Sequence, residues 1–188
     1  MQSLVSKGMS ASLPTHIVLV GLMGTGKSSV GRKLASQLQR PFVDTDKRVE
    51  EIAGKSVRDI FTHDGEEAFR TLESKVVVDV LQASESSVIA AAGGVVTRPE
   101  NRTVLLENCS RGTTKVIWLR ADTAELLARV QKGAHRPLLD ADPSGTLTAM
   151  ERDRTPWYAE VASYVVDTNG LSIEQVATAV LAVLEKDS

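Results

Sequence analysis

Gly21-Leu22-Met23-Gly24-Thr25-Gly26-Lys27-Ser28 has the form G-x-x-x-x-G-K-S, a glycine-rich loop that cradles phosphate groups in backbone N–H donors. The apolar run Ile17-Val18-Leu19-Val20 precedes it and reads as a buried strand. After it, Val30, Leu34 and Leu38 recur at helical spacing. The loop therefore sits between a strand and a helix N-terminus, where its N–H groups and the helix dipole together favour an anion. Glycine lets the chain turn there with no Cβ in the way. In this pattern Lys27 reaches the β- and γ-phosphates and the Ser28 hydroxyl ligates Mg²⁺. The expected nucleotide contacts are Gly21, Gly24, Thr25, Gly26, Lys27, Ser28 and Ser29.

Strand and helix patterns alternate outward from this loop. Strands are expected at 16–20, 42–44, 87–91, 116–119 and 164–166. Helices are expected at 27–39, 47–53, 56–61, 66–83, 99–108, 123–130, 146–162 and 173–184, with a bend near Pro156. Residues 132–145, rich in Gly, Pro and Asp, read as a mobile loop. Short apolar strands between helices predict an α/β fold with a parallel sheet covered on both faces. In such sheets ligands bind at the carboxyl ends of the strands. The chemistry-bearing residues of this chain cluster at those ends.

The chain has 188 residues and a net charge of -2 from 22 basic and 24 acidic residues. That size suits one domain, expected over 15–188, and the balance gives no reason to expect a nucleic-acid or membrane partner. Cys109 is the sole cysteine, which excludes an internal disulfide and makes the cytoplasm the expected compartment. Residues 1–14 lack a signal-peptide core and are expected to be a flexible leader, with Met1 or Met9 as the start. His16, His63 and His135 lack metal-ligand spacing. A monomer is expected.

Asp44-Thr45-Asp46 closes the second strand. Two carboxylates at i and i+2 beside a phosphate loop suit one metal ligand and one acceptor for a hydroxyl proton, although helix capping explains either equally well in isolation. Arg70 opens the long helix with Glu73 at i+3, a fork for a carboxylate or an ordinary helix salt bridge. Gly93-Gly94 follows the third strand, either as close-approach backbone for a small ligand or as a tight turn. Arg136 lies in the loop and Arg154 in the next helix. Taken alone, each reads as surface charge; beside a phosphate loop, a loop cation can close over a transferring phosphoryl group.

Taken together, Gly21–Ser28, Asp44-Thr45-Asp46, Asp64-Gly65-Glu66-Glu67-Ala68-Phe69-Arg70, Gly93-Gly94, Arg136-Pro137-Leu138-Leu139 and Arg154-Thr155-Pro156-Trp157-Tyr158 resemble the shikimate kinase family over about residues 15–186. The resemblance implies a three-layer P-loop kinase fold: a five-stranded parallel sheet of order 2-3-1-4-5, helices on both faces, and a mobile lid at about 132–145. It implies transfer of the ATP γ-phosphoryl group to the 3-hydroxyl of shikimate, with Mg²⁺. By position, Asp46 would bind shikimate hydroxyls and accept the proton. Arg70 and Arg154 would grip the carboxylate, and Gly93 and Gly94 would line the ring. Lys27 and Arg136 would stabilise phosphoryl charge, and Ser28 and Asp44 would organise Mg²⁺. Arg129 would lie near the adenine, with Asp167-Thr168-Asn169 bordering that pocket.

A kinase for gluconate or a nucleoside monophosphate, and a metabolite-binding module without turnover, are the alternatives; intact Lys27, Asp46 and Arg136 speak against the second. One departure stands out. The family usually has three glycines after the third strand, whereas this chain reads Ala92-Gly93-Gly94. A methyl group at 92 would narrow the pocket, or forbid a positive φ if one is needed.

Overall fold

The computed structural model describes residues 14–131 and 142–186. Its centre is a five-stranded sheet of order β2-β3-β1-β4-β5, built from β1 (His16–Val20), β2 (Phe42–Asp44), β3 (Ser87–Ala90), β4 (Thr114–Arg120) and β5 (Tyr164–Asp167). Every pairing is parallel, with Ile17 beside Val88 on one side and Lys115 on the other. The expected fold class and strand order are those observed.

Alternation along β1 splits the core in two. Ile17 and Leu19 face α1 (Lys27–Leu38) and α8 (Ile173–Glu185), packing with Leu34, Val176, Val180 and Leu184. Val18 and Val20 face the opposite layer. There they meet residues of α4 (Glu66–Gln82), α5 (Pro99–Ser110) and α7 (Pro143–Val161), including Val77, Leu105, Leu147 and Tyr158. Both faces of the strand are apolar because both are covered, the signature of a parallel sheet. α1 lies close on the sheet: a Cβ on Gly31 would sit 2.5 Å from Phe42 Cε2.

A smaller cluster of Val49, Ile60, Phe69 and Val76 joins α2 (Thr45–Ala53), α3 (Val57–Asp59) and α4 into a flap beside β2. A π-helical turn over Ile60–Asp64 links α3 to α4, where the sequence predicts a simple short helix at 56–61. A 3₁₀ turn at Val95–Thr97 follows the glycine pair. α6 (Thr123–Gln131) precedes the segment 132–141, which lies outside the described residues and holds most of the expected lid. The expected leader, apart from Pro14, is also outside them.

Two boundaries need correction. Pro143 to Gly145 is helix, not loop: Asp142 caps α7 by accepting from the Gly145 N–H at 2.9 Å, and proline suits the first helical position. α2 begins at Thr45, not at residue 47, with Asp44 as its cap. α7 continues as helix through Pro156. Among the described residues no helix is long and apolar enough to cross a membrane.

Candidate active site

The phosphate loop after β1, Asp44 at the end of β2 and the Ala91–Gly94 turn after β3 open onto one cleft of about 590 Å³. Neighbouring strands of a parallel sheet deliver their carboxyl ends to one side, so residues distant in sequence converge there. Gly24 and Gly26 hold φ of 84° and 92°, values that a side chain rarely adopts. Gly26 stands immediately before α1 as its N-cap, so the loop's N–H groups gather at that helix's positive end.

The loop is braced from inside. Thr25 Oγ1 donates to Leu22 O at 2.8 Å and is buried. Thr25 and Gly21 therefore frame the loop, while Gly24, Gly26, Lys27, Ser28 and Ser29 line the cleft. Lys27 Nζ donates to Gly21 O at 2.8 Å and to Leu22 O at 2.9 Å. Ser28 Oγ donates to Asp44 Oδ2 at 2.8 Å, and Asp44 Oδ1 accepts from the Asp46 N–H at 3.2 Å. Asp44 thus caps α2 and meets the phosphate loop at once. Asp46, in the first turn of α2, lines the cleft.

Arg70 occupies the other half of the cleft and is nearly buried. Its Nη1 donates to both oxygens of Glu73, at 2.9 and 3.2 Å, while Nε and Nη2 donate to Glu66 at 3.2 and 3.1 Å. Glu73 has no exposed surface. Burial pushes its carboxyl group up, and Arg70 opposes that rise. The pair holds the guanidinium in one place at the floor of the cleft. It does so against the glycine turn: a Cβ on Gly94 would lie 2.1 Å from Arg70 Nη1.

The turn itself is held at three points. The Ala92 N–H donates to Thr45 Oγ1 at 2.9 Å. Gly93 O accepts from Arg154 Nη1 at 3.1 Å and from the Tyr158 hydroxyl. Tyr158 is buried, which pushes its phenol pKa well up and keeps the hydroxyl a donor. Residues 92, 93 and 94 all avoid positive φ, so alanine at 92 needs no conformation that a side chain resists.

Arg129 links the loop to the far edge of the sheet. It donates to Gly24 O at 3.4 Å, to Thr168 O at 2.6 Å and to Thr168 Oγ1 at 3.1 Å. Asp167 is engaged by Arg120 in a two-point ion pair at 2.6 and 2.9 Å. Asn169 Oδ1 accepts from the Asp122 N–H at 3.0 Å. Arg136 falls outside the described residues. Asp167, Thr168 and Asn169 do not line the cleft; Thr168 meets it only through Arg129. The remaining expected site residues line the cleft or belong to the loop that frames it. Thr45 and Tyr158 were not singled out from sequence, nor were Arg58 and Phe61, which line the cleft from the flap. Their signals were slight: Thr45 lies between the two aspartates, and Tyr158 is one helical turn after Arg154.

Chemically, the cleft pairs a phosphate nest with cations and carboxylates beyond it. Among the described residues no group of three or more His, Cys, Asp and Glu could hold a metal. A hydroxyl and one carboxylate, Ser28 and Asp44, suit Mg²⁺, which is usually held by one or two carboxylates with substrate phosphates and water.

Comparison with known proteins gives a consistent result. The family model "SKI: Shikimate kinase" matches residues 23–185. A shikimate kinase of Symbiobacterium thermophilum is 46% identical over 174 residues, covering 91% of this chain and 97% of that protein. One from Cupriavidus pinatubonensis is 42% identical, covering 90% of this chain and 86% of that protein. The structure of Acinetobacter baumannii shikimate kinase in complex with shikimate is similar at a TM-score of 0.86 and 34% identity, over 94% of this chain and 96% of that one. A gluconokinase from Sinorhizobium meliloti, with a TM-score of 0.62 at 20% identity, shares the fold, covering 93% of both chains.

Proposed function

The chain belongs to the shikimate kinase family, and from that premise we propose how its cleft divides the labour of phosphorylating shikimate with ATP. It has shikimate kinase activity, a step of aromatic amino acid biosynthesis. The acceptor is the 3-hydroxyl of shikimate, and the working unit is a cytoplasmic monomer with one domain over 15–188. Its relative from A. baumannii has been seen with shikimate bound.

The observation that carries the assignment of roles is the convergence of Arg70, Arg154 and Asp46 on the cleft that holds the phosphate loop. A small polyol acid needs a cationic grip on its carboxylate and acceptors for its hydroxyls. Arg70 and Arg154 supply the grip, and the Gly93 and Gly94 backbone lies against the ring. Asp46 accepts the proton of the attacking hydroxyl. On the donor side, the loop amides hold the phosphates, with contacts from Gly21 to Ser29. Lys27 exchanges its two carbonyl partners for the β- and γ-phosphates, and Arg129 borders the adenine. Arg136, on the lid, adds positive charge to the transferring group and helps exclude water.

Ser28 and Asp44 would hold Mg²⁺. Bound there, the ion would neutralise phosphate charge. Phosphoryl transfer needs positioning and charge stabilisation more than covalent chemistry, and the residues above supply both.

Steady-state kinetics of Asp46→Asn test the central role. General-base assistance contributes roughly 10²–10⁴ in rate, so kcat is expected to fall by at least about 100-fold while ATP binding persists. Full activity in Asp46→Asn would remove the carboxylate from the mechanism.

A further inference from the structure

The Gly93–Gly94 peptide lines the cleft beside Arg70 and Arg154, and nothing in its own sequence fixes its orientation. Glycine has the widest choice of φ and ψ, so an unrestrained Gly-Gly pair would sample many turns. Here its carbonyl accepts from two side chains of the same helix, Arg154 and Tyr158. These lie four residues apart on α7 and so share a face. A trans peptide is planar, with its carbonyl and N–H pointing in opposite directions. Anchoring Gly93 O on α7 therefore aims the Gly94 N–H away from that helix.

The two anchors differ in what they can do later. Arg154 lines the cleft and is half-buried. A guanidinium that turns to a ligand carboxylate gives up geometry at its earlier partner. Tyr158 does not line the cleft. Its ring is buried and stacks on Trp118 of β4, with centroids 5.6 Å apart and an interplanar angle of 25°. Its hydroxyl is thus placed by the core, so its bond to Gly93 O does not depend on where the Arg154 guanidinium points. At the other end of the turn, Thr45 Oγ1 accepts from the Ala92 N–H, and Thr45 is also buried. Thr45 lies between Asp44 and Asp46, so the same contact ties the turn to the start of α2.

We propose that Tyr158 and Thr45 are positioning residues for the acceptor: they clamp the Ala92–Gly94 turn from its two ends so that its backbone meets the acceptor in a single orientation. Neither touches the reacting atoms. The turn also lies beside the phosphate loop, with Gly93 close to Gly21 O, but both clamping hydrogen bonds are made to the turn itself, so their loss is expected to fall mainly on the acceptor. The inference rests on the shikimate kinase reading of the cleft.

Steady-state kinetics of the full chain, varying shikimate and ATP separately, test it. Tyr158→Phe keeps the ring stack and removes only the hydroxyl. Thr45→Val keeps the shape and removes the acceptor, while Thr45→Ser retains it. Losing one such hydrogen bond is expected to raise the shikimate KM roughly 3- to 10-fold in Tyr158→Phe and in Thr45→Val. The ATP KM should stay within about twofold of wild type, and Thr45→Ser should recover most of the loss. An unchanged shikimate KM in Tyr158→Phe, or an equal rise in both KM values, overturns the clamp. Should Thr45→Val fail to fold, Tyr158→Phe alone decides. Wild-type protein without shikimate-dependent turnover would instead sink the reading of the cleft, an outcome distinct from the failure of the clamp.

Discussion

Arg70 is placed by its neighbours before any ligand arrives. Glu73 and Glu66 engage it from its own helix, and the missing side chain of Gly94 leaves room for its guanidinium. Gly94→Ala would push a methyl group into that space. Because Arg70 can shift only by loosening buried Glu73, the variant is expected to raise the shikimate KM by at least about tenfold. Overpacking costs of this kind run about 1–3 kcal/mol, and a thermal melt alongside the kinetics would show the accompanying loss. Ala92 makes the opposite case. Its φ is ordinary, so Ala92→Gly should leave the shikimate KM within about twofold and lower stability by roughly 0.4–1 kcal/mol through added freedom in the unfolded chain. A large gain in acceptor affinity would show that the methyl group narrows the pocket after all. At this scale the phosphate loop is legible from type and spacing alone, whereas Asp46, Arg70 and Arg154 took their expected places from the family resemblance, since in isolation they read equally well as a cap, a helix salt bridge and surface charge. Thr45 and Tyr158 were legible by neither route. Each acts on a backbone group more than forty-five residues away, and no local pattern encodes such a partner.

Among the elements, the strands and the long helices follow from apolar periodicity, and their ends moved where capping chemistry decided. Asp44 takes the N-cap of α2 and brings Thr45 and Asp46 into the helix's first turn. Asp142 and Pro143 start α7 ahead of its apolar pattern. The π turn at Ile60–Asp64 has no simple period to reveal it. Packing of α1 on the sheet yields a test: Gly31→Ala would place its Cβ 2.5 Å from Phe42, so a loss of about 1–3 kcal/mol is expected in denaturant unfolding. β1 carries a second. His16 is buried at its start, where Nε2 donates to Ala83 O at 3.0 Å and Nδ1 accepts from the Ser87 hydroxyl at 2.9 Å. Burial, with Arg40 nearby, lowers its pKa from the ordinary 6.5, against the opposing bond to Ala83. Below that value the unfolded chain binds more protons than the fold, so stability falls as pH drops through 6.5 toward the depressed value. Unfolding midpoints at about pH 7.5 and about pH 5.5 should fall more steeply in wild type than in His16→Gln. Equal slopes would take His16 out of that account.

At the level of the whole molecule, the order β2-β3-β1-β4-β5 sets the ends of β1, β2 and β3 side by side. The phosphate loop, the D-x-D and the glycine turn thus form one surface. That order was expected from the family resemblance; alternating strands and helices alone predict a covered parallel sheet without fixing which strands are neighbours. One cleft thus holds Lys27 and the phosphate loop together with Arg70 and Arg154; on the proposed reading the first group is the donor side and the two arginines are the acceptor side. On the proposed reading the acceptor side takes shikimate, and Asp46 and the arginines complete the transfer. ADP release from wild-type protein with ATP and Mg²⁺, run separately with shikimate, gluconate and nucleoside monophosphates, tests it most directly. The expected result is release that depends on shikimate, with one ADP per shikimate phosphorylated. Turnover of gluconate or a nucleotide without turnover of shikimate, or saturable shikimate binding without phosphorylated product, would contradict it.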